Sequence, residues 1–225
     1  MKPLFFITVL SIVLACNNSS SADKQDASDT EQSRSESNGD LYLRTYMWTG
    51  MYGTSLDISW IYLDENGTIV KNPKYGVNPV NWAQEKQDNP KNTGTYKVVG
   101  DTALHITWQN GETDTWSLEK KDGDYTIIDG GITTKQKGMP EGYHLEGQYA
   151  SSVVLPNVAS TSTLVFKKDG TFTSSNYGTV TTPDVTGELE KKNTGTYTIS
   201  GNTLTMTFPV GKVEKSVITV WDMDG

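Results

Sequence analysis

The chain is short of cysteine, histidine, positive charge and long apolar stretches, and each shortage removes a class of protein. It has 225 residues with a single cysteine and two histidines. One cysteine cannot make an internal disulfide, so this is not a disulfide-stapled secreted scaffold, and the thiol needs another use. His105 and His144 sit in no metal-ligand spacing, and no serine, cysteine or acid is placed to work with either, so both read as surface residues. Nineteen basic residues face twenty-seven acidic ones, for a net charge of -8. That balance leaves no basic groove for nucleic acid and no attraction to anionic head groups. The longest apolar stretch, Leu4–Ala15, is too short to cross a bilayer as a helix. From Leu41 onward no helical period is evident, and no helix is expected there. No cofactor or metal site is expected either.

What the chain does have is a repeat. The string KNTGTY occurs at Lys91–Tyr96 and again at Lys192–Tyr197. Upstream lie LDENGT, ending at Thr68, and KKDGT, ending at Thr171. Between them stand Tyr75-Gly76 in one copy and Tyr177-Gly178 in the other. Further back, TGMY ends at Tyr52 and EGQY ends at Tyr149. Landmarks in one order with similar gaps imply a duplicated unit of domain size. The first copy continues through TWSLEKKDGDYTIIDGGITTK, whereas the second stops at VITVWDMDG. Copy two is therefore expected to lack its last one or two strands and to be a truncated unit or one that borrows an edge.

Both copies read as β. In TALHITW, Leu104, Ile106 and Trp108 alternate with Ala103, His105 and Thr107. In TLTMTF, Leu204, Met206 and Phe208 alternate with Thr203, Thr205 and Thr207. This is the period of strands with one wet face. Asn66-Gly67, Asn110-Gly111, Asp122-Gly123, Asp169-Gly170 and the turn at Gly201 supply tight hairpins. The Gly of NTGTY is expected to provide an unusual backbone angle, with the following Tyr packed inward. The expectation is an all-β protein of two similar small antiparallel meanders, at 41–137 and 141–225, each a barrel or strongly curved sheet. Their motifs resemble the small lipocalin-like domains of bacterial lipoproteins. Lipocalins carry Gly-x-Trp on the first strand; here the pattern is Gly-x-Tyr, at Tyr52 and Tyr149.

The amino terminus fits the same family. Lys2 and the apolar run read as a signal peptide over residues 1–15. The run ends VLAC, which resembles the lipobox of bacterial lipoproteins, with Val13 where leucine is commoner. The resemblance implies acylation of Cys16 and anchoring in the cell envelope, with Asn17 permitting the outer membrane. Several acyl chains hold firmly, since each buried methylene adds roughly 0.8 kcal/mol. Asn17–Asp40 carries six acids, two bases and only Ala22 and Ala27 as apolar residues. A segment this polar cannot offset its chain entropy and reads as a disordered tether over 16–40, with a typical reach of roughly 25–30 Å.

Candidate binding residues are aromatic. Trp60, Trp108 and Trp116 fall on strands and read as core. Tyr75 and Trp82 lie in a long proline-broken segment between strands, and Tyr177 lies in its counterpart. Loops on a rigid scaffold are where binding residues concentrate. These three could meet a small apolar ligand, a glycan or a protein; equally, Tyr75 and Trp82 could fold back as a cap. DENG at Asp64–Gly67 and DMDG at Asp222–Gly225 read as turns, because position 75, where a calcium loop needs an acid, is tyrosine. Glu112 and Asp114 share a strand face without a recognisable acid-pair context. The function class that follows is a membrane-anchored, non-catalytic binding or scaffold module. The alternatives are an envelope hydrolase using carboxylates and a protein-docking or inhibitory module.

Overall fold

The structure, a computed structural model, describes residues 38–51, 53–155, 158–181 and 186–220; the side chains of 153–158 and 179–190 also fall outside the description. The signal segment 1–15, Cys16 and most of the tether expected over 16–40 lie outside the described residues, as do Tyr52, Pro183 and Asp222–Gly225.

The first unit has eight strands: β1 (Gly39–Gly50), β2 (Gly53–Asp64), β3 (Thr68–Lys71), β4 (Thr93–Val99), β5 (Ala103–Trp108), β6 (Thr113–Lys121), β7 (Asp124–Ile128) and β8 (Gly131–Lys135). They form an antiparallel meander that closes into a barrel where β1 pairs with β8 over Tyr42–Thr45. The second unit is a six-stranded sheet: β9 (Gly147–Leu155), β10 (Val158–Phe166), β11 (Thr171–Thr181), β12 (Thr186–Ser200), β13 (Thr203–Thr207) and β14 (Val213–Val217). Its edges are β9 and β14. The all-β expectation therefore holds, and among the described residues the second unit has six strands against eight in the first. One short helix among the described residues, α1 (Trp82–Asp88), corrects the expectation of none.

Side-chain alternation fills the barrel. Tyr42, Ile61, Leu63, Ile69, Leu104, Ile106, Trp108, Trp116, Leu118 and Ile128 form one buried cluster. The register shows why they share the inside: Tyr42 faces Ile61, Leu63 faces Ile69, Leu104 faces Trp116 and Leu118 faces Ile128. Each such side chain contributes roughly 1.5–3 kcal/mol by leaving water. Leu145, Tyr149, Phe166, Phe172, Tyr197, Leu204, Met206 and Ile218 do the same in the second unit.

The duplication extends to individual hydrogen bonds. Tyr96 N donates to Gly67 O and Tyr197 N to Gly170 O, both at 2.8 Å. Tyr96 Oη donates to Asp64 O and Tyr197 Oη to Lys167 O, both at 2.9 Å. Leu118 N donates to Thr102 O at 2.8 Å, and Ile218 N to Asn202 O at 2.9 Å. Burial pushes the Tyr96 phenol up to about 12, so it stays a donor near neutral pH.

The same superposition corrects two expectations. Tyr149 faces Leu164 as Tyr42 faces Ile61, so Tyr42, not Tyr52, is the counterpart of Tyr149. Nor do the glycines of NTGTY adopt a positive φ; those that do include Gly67, Gly111, Gly123, Gly170 and Gly201. Gly94 and Gly195 are needed because a Cβ would collide with the carbonyl oxygens of Thr107 and Thr207 on the neighbouring strand. One steric demand in two units explains why the hexamer keeps its glycine. Gly94→Ala and Gly195→Ala are each expected to lower stability by roughly 1–3 kcal/mol through overpacking, read as a fall in the urea midpoint at constant slope.

Candidate functional site

Three features gather around one end of the barrel. The first is the segment that joins β3 to β4. Asn81 caps α1, its Oδ1 accepting from Gln84 N at 3.2 Å, and Ala83–Gln87 are good helix formers. Asn89-Pro90 follows the helix end. Trp82, at the start of α1, packs against Tyr62, ring centroids 6.1 Å apart, over an outer cluster of Leu41, Tyr62, Val70 and Val77. Tyr75 donates its hydroxyl to the Asp88 carboxylate. That bond holds the tyrosine above its ordinary pKa and Asp88 below its own. Both residues thus fold back onto their own unit. Tyr177 is elsewhere: the strand register replaces the expected loop by the long hairpin β11–β12 and places Tyr177 on β11, opposite Thr161 and exposed. The structure brings Tyr75 and Trp82 into one segment and leaves Tyr177 in the other unit.

The organiser of this segment is a residue that alternation alone does not reveal. Glu85 is fully buried. One of its oxygens accepts from Lys74 N at 2.6 Å and Tyr75 N at 2.9 Å, and the other from Asn89 Nδ2 at 3.2 Å. Burial raises its pKa, partly opposed by these donors. A raised folded pKa means that the protonated state is favoured on folding, so this contribution is complete below the unfolded pKa and declines as pH rises through the folded one. The sequence signal was the cap Asn81 four residues before an acid.

The segment also grips the second unit. Val77 N and Asn78 N both donate to Thr203 Oγ1 at 2.8 Å, and Asn202 N donates to Asn78 Oδ1 at 2.9 Å. Asn202 Nδ2 donates to Lys137 O at 3.1 Å, and Thr219 Oγ1 to Gln136 Oε1 at 2.6 Å. Gly76 and Gly201 allow this approach, since a Cβ on either would strike Thr203 or Asn78. Thr203, expected to face water, is consequently buried.

The second feature is the barrel mouth. An open cleft of about 370 Å3 lies between Lys71, Lys91, Glu112, Asp114 and Asp129, with Trp108 and Trp116 at its base. The two indoles are 5.7 Å apart, and Lys71 Nζ stands 5.9 Å from the Trp116 ring. The three carboxylates accept from neighbours in the fold: Asp114 from Trp108 Nε1 at 2.6 Å, Glu112 from Asn110 Nδ2 at 2.7 Å, and Asp129 from Arg44 Nη2 at 3.3 Å. The cleft can receive a small polar molecule, and below it the interior is packed with the buried cluster of Tyr42, Ile61, Leu104 and their neighbours. Of its rim, the sequence singled out Glu112 and Asp114 as sharing a strand face, but not their meeting with Lys71, Lys91 and Asp129, which are far apart along the chain.

The third feature is the β1–β2 hairpin, which runs on beyond the point where β8 leaves β1. Arg44 marks that level. It is 5% exposed, with Nε donating to Ile128 O at 2.9 Å and Nη2 to Asp129 O at 2.7 Å. The histidines stand apart from all three features: His105 is exposed on β5, and His144 is exposed with its ring 6.3 Å from Tyr197. Among the described residues no group of three metal-binding side chains gathers.

No family model matches this chain, and neither the curated proteins nor the solved structures contain a match.

Two outcomes test the clasp. Thr203→Val leaves two buried amide donors without their acceptor and is expected to cost about 2–3 kcal/mol, with the two units unfolding at separate temperatures in calorimetry. Glu85→Gln keeps an acceptor for Lys74 N and Tyr75 N but cannot titrate. Between about pH 4 and neutrality, wild-type protein is expected to lose stability relative to this variant as pH rises.

Proposed function

We propose that the chain is a bacterial envelope lipoprotein, tethered through acylated Cys16 at the outer membrane, whose two lipocalin-like units act as a non-catalytic scaffold docking a protein partner along an open sheet edge. The supporting observation is a contrast between homologous halves. In the first, side chains fill the interior and β7–β8 close the gap between β6 and β1. In the second, the equivalent gap lies between β14 and β9, and among the described residues each has one strand neighbour. An open edge offers a row of backbone donors and acceptors to an added strand.

The edges differ in a way that favours β9. The β14 sequence VEKSV places Glu214 and Lys215 on its edge, a common guard against unwanted pairing. The β9 sequence GQYASSVVL has no charge. A small apolar ligand has less support, because the barrel is packed; the polar mouth cleft favours a small polar ligand as a second reading. The hydrolase alternative has less support too, because the mouth carboxylates are engaged by Trp108, Asn110 and Arg44.

A photo-crosslinking residue at Ser151 on β9, in the full chain in its native envelope, is expected to give protein adducts that the same residue at His105 does not. Absent or equal adducts would overturn strand docking. Cys16→Ser is expected to abolish acylation and release the protein from the membrane fraction; continued incorporation of labelled palmitate would end the anchoring claim.

A further inference from the structure

The exposed apolar surface is concentrated in one place. Among the described residues twelve large hydrophobic side chains are exposed, and seven of them belong to the β1–β2 hairpin or the strand beside its base: Tyr46, Met47, Trp48, Met51, Leu56, Ile58 and Ile132. Met51 at the tip is 92% exposed, Met47 68% and Leu56 58%. A patch of this kind on a soluble domain marks an interaction site.

Its occupant can be argued from three properties. First, Thr45–Leu56 contains no charged residue, in a chain whose net charge is -8. The nearest charges at its base, Arg44 and Asp57, are 3.3 Å apart and paired to each other, and Arg44 also pairs with Asp129. No unpaired charge flanks the tip on either strand. Second, the apolar residues occupy both faces of the ribbon. Met47 and Leu56 are register partners on the outer face, in line with Ile58 and Ile132, which both lie opposite Thr45. Tyr46 and Trp48 alternate onto the other face, and the Trp48 ring lies over Gly50. A protein groove is matched by one apolar face, whereas an apolar medium accepts both. Third, the backbone of the hairpin is paired internally from Gly39↔Asp64 to Gly50↔Gly53. Among the described residues the outer edge of β1 has no strand partner beyond Thr45, which disfavours deep burial in hydrocarbon and suits the hydrated interface, where Trp and Tyr also concentrate.

We infer that this hairpin tip inserts into the interfacial layer of a lipid bilayer, with preference for zwitterionic rather than anionic lipid because the chain is acidic. This goes beyond the scaffold reading and does not depend on acylation of Cys16. The geometry permits a shared membrane. β1 runs from the tether at Gly39 to the tip at Gly50, a span of about 40 Å, and the residues from Cys16 to Asn38 can stretch to roughly 75 Å.

The test uses the full chain carrying Cys16→Ser, which removes acylation and leaves a thiol only where one is introduced. An environment-sensitive dye is attached through Met51→Cys or, as control, Lys97→Cys on the exposed side of β4. With phosphatidylcholine vesicles, the dye at position 51 is expected to brighten, shift to the blue and be quenched by lipid spin-labelled near the head group, while the dye at 97 stays in water. Adding Leu56→Asp is expected to reduce the response at 51 about tenfold. A dye at 51 that remains in water, whether or not the protein sediments with the vesicles, would overturn the inference. So would a response that needs no lipid and grows with protein concentration, which would assign the patch to a second copy of the chain. A Leu56→Asp variant that responds like its parent would overturn it as well. Failure here leaves the Cys16 anchor and the β9 edge untouched.

Discussion

The contact that most of the architecture depends on is the close approach of the NTGTY strand to the strand that follows it. Gly94 against Thr107 and Gly195 against Thr207 have no room for a Cβ. At that distance Tyr96 and Tyr197 can drop inward and tie their hydroxyls to carbonyls of the preceding hairpin, at Asp64 and Lys167. Each tyrosine therefore bolts two hairpins together from inside the unit. The meander curves because its strands are pinned at this crossing, and the curvature brings β1 within reach of β8 in the first unit.

The same module then reaches two different ends. With β7 and β8 present, the sheet closes, β1 pairing with β8 over Tyr42–Thr45. Among the described residues the second sheet keeps two edges, β9 and β14, and it is tied to the first unit by side-chain hydrogen bonds. The clasp from Val77 and Asn78 to Thr203, and from Asn202 to Lys137, fastens the turn between β12 and β13. Glu85 makes that clasp rigid by holding the amides of Lys74 and Tyr75 from a fully buried position. A buried carboxylate is costly unless several donors meet it, and here three do.

Much of this was legible beforehand, for a physical reason. A hexamer written twice reports a repeated unit, and a period of two in TALHITW and TLTMTF reports strands with one wet face; the reason for the hexamer's glycine, its approach to Thr107 or Thr207 rather than a backbone angle, came from the neighbouring strand. A short match carries less information: TGMY resembles EGQY, yet the register puts GDLY in that place. The helix at Trp82–Asp88 was too brief for its period to show, and its signal was the Asn81 cap. The roles of Tyr75, Trp82 and Thr203 could not be read from periodicity, because each depends on what covers the outside of a sheet.

Strand content, the hairpin turns and the repeated unit were legible in the sequence alone, since they arise from alternation and backbone freedom within a few residues. Tertiary structure decided which surfaces are shared and which are open. Whether an outward threonine meets water or a clasp, what an aromatic loop packs against, and where apolar side chains remain exposed are settled by contacts between residues far apart in the chain. Thr203 lies 126 positions from Val77, and no local pattern encodes a meeting across that separation.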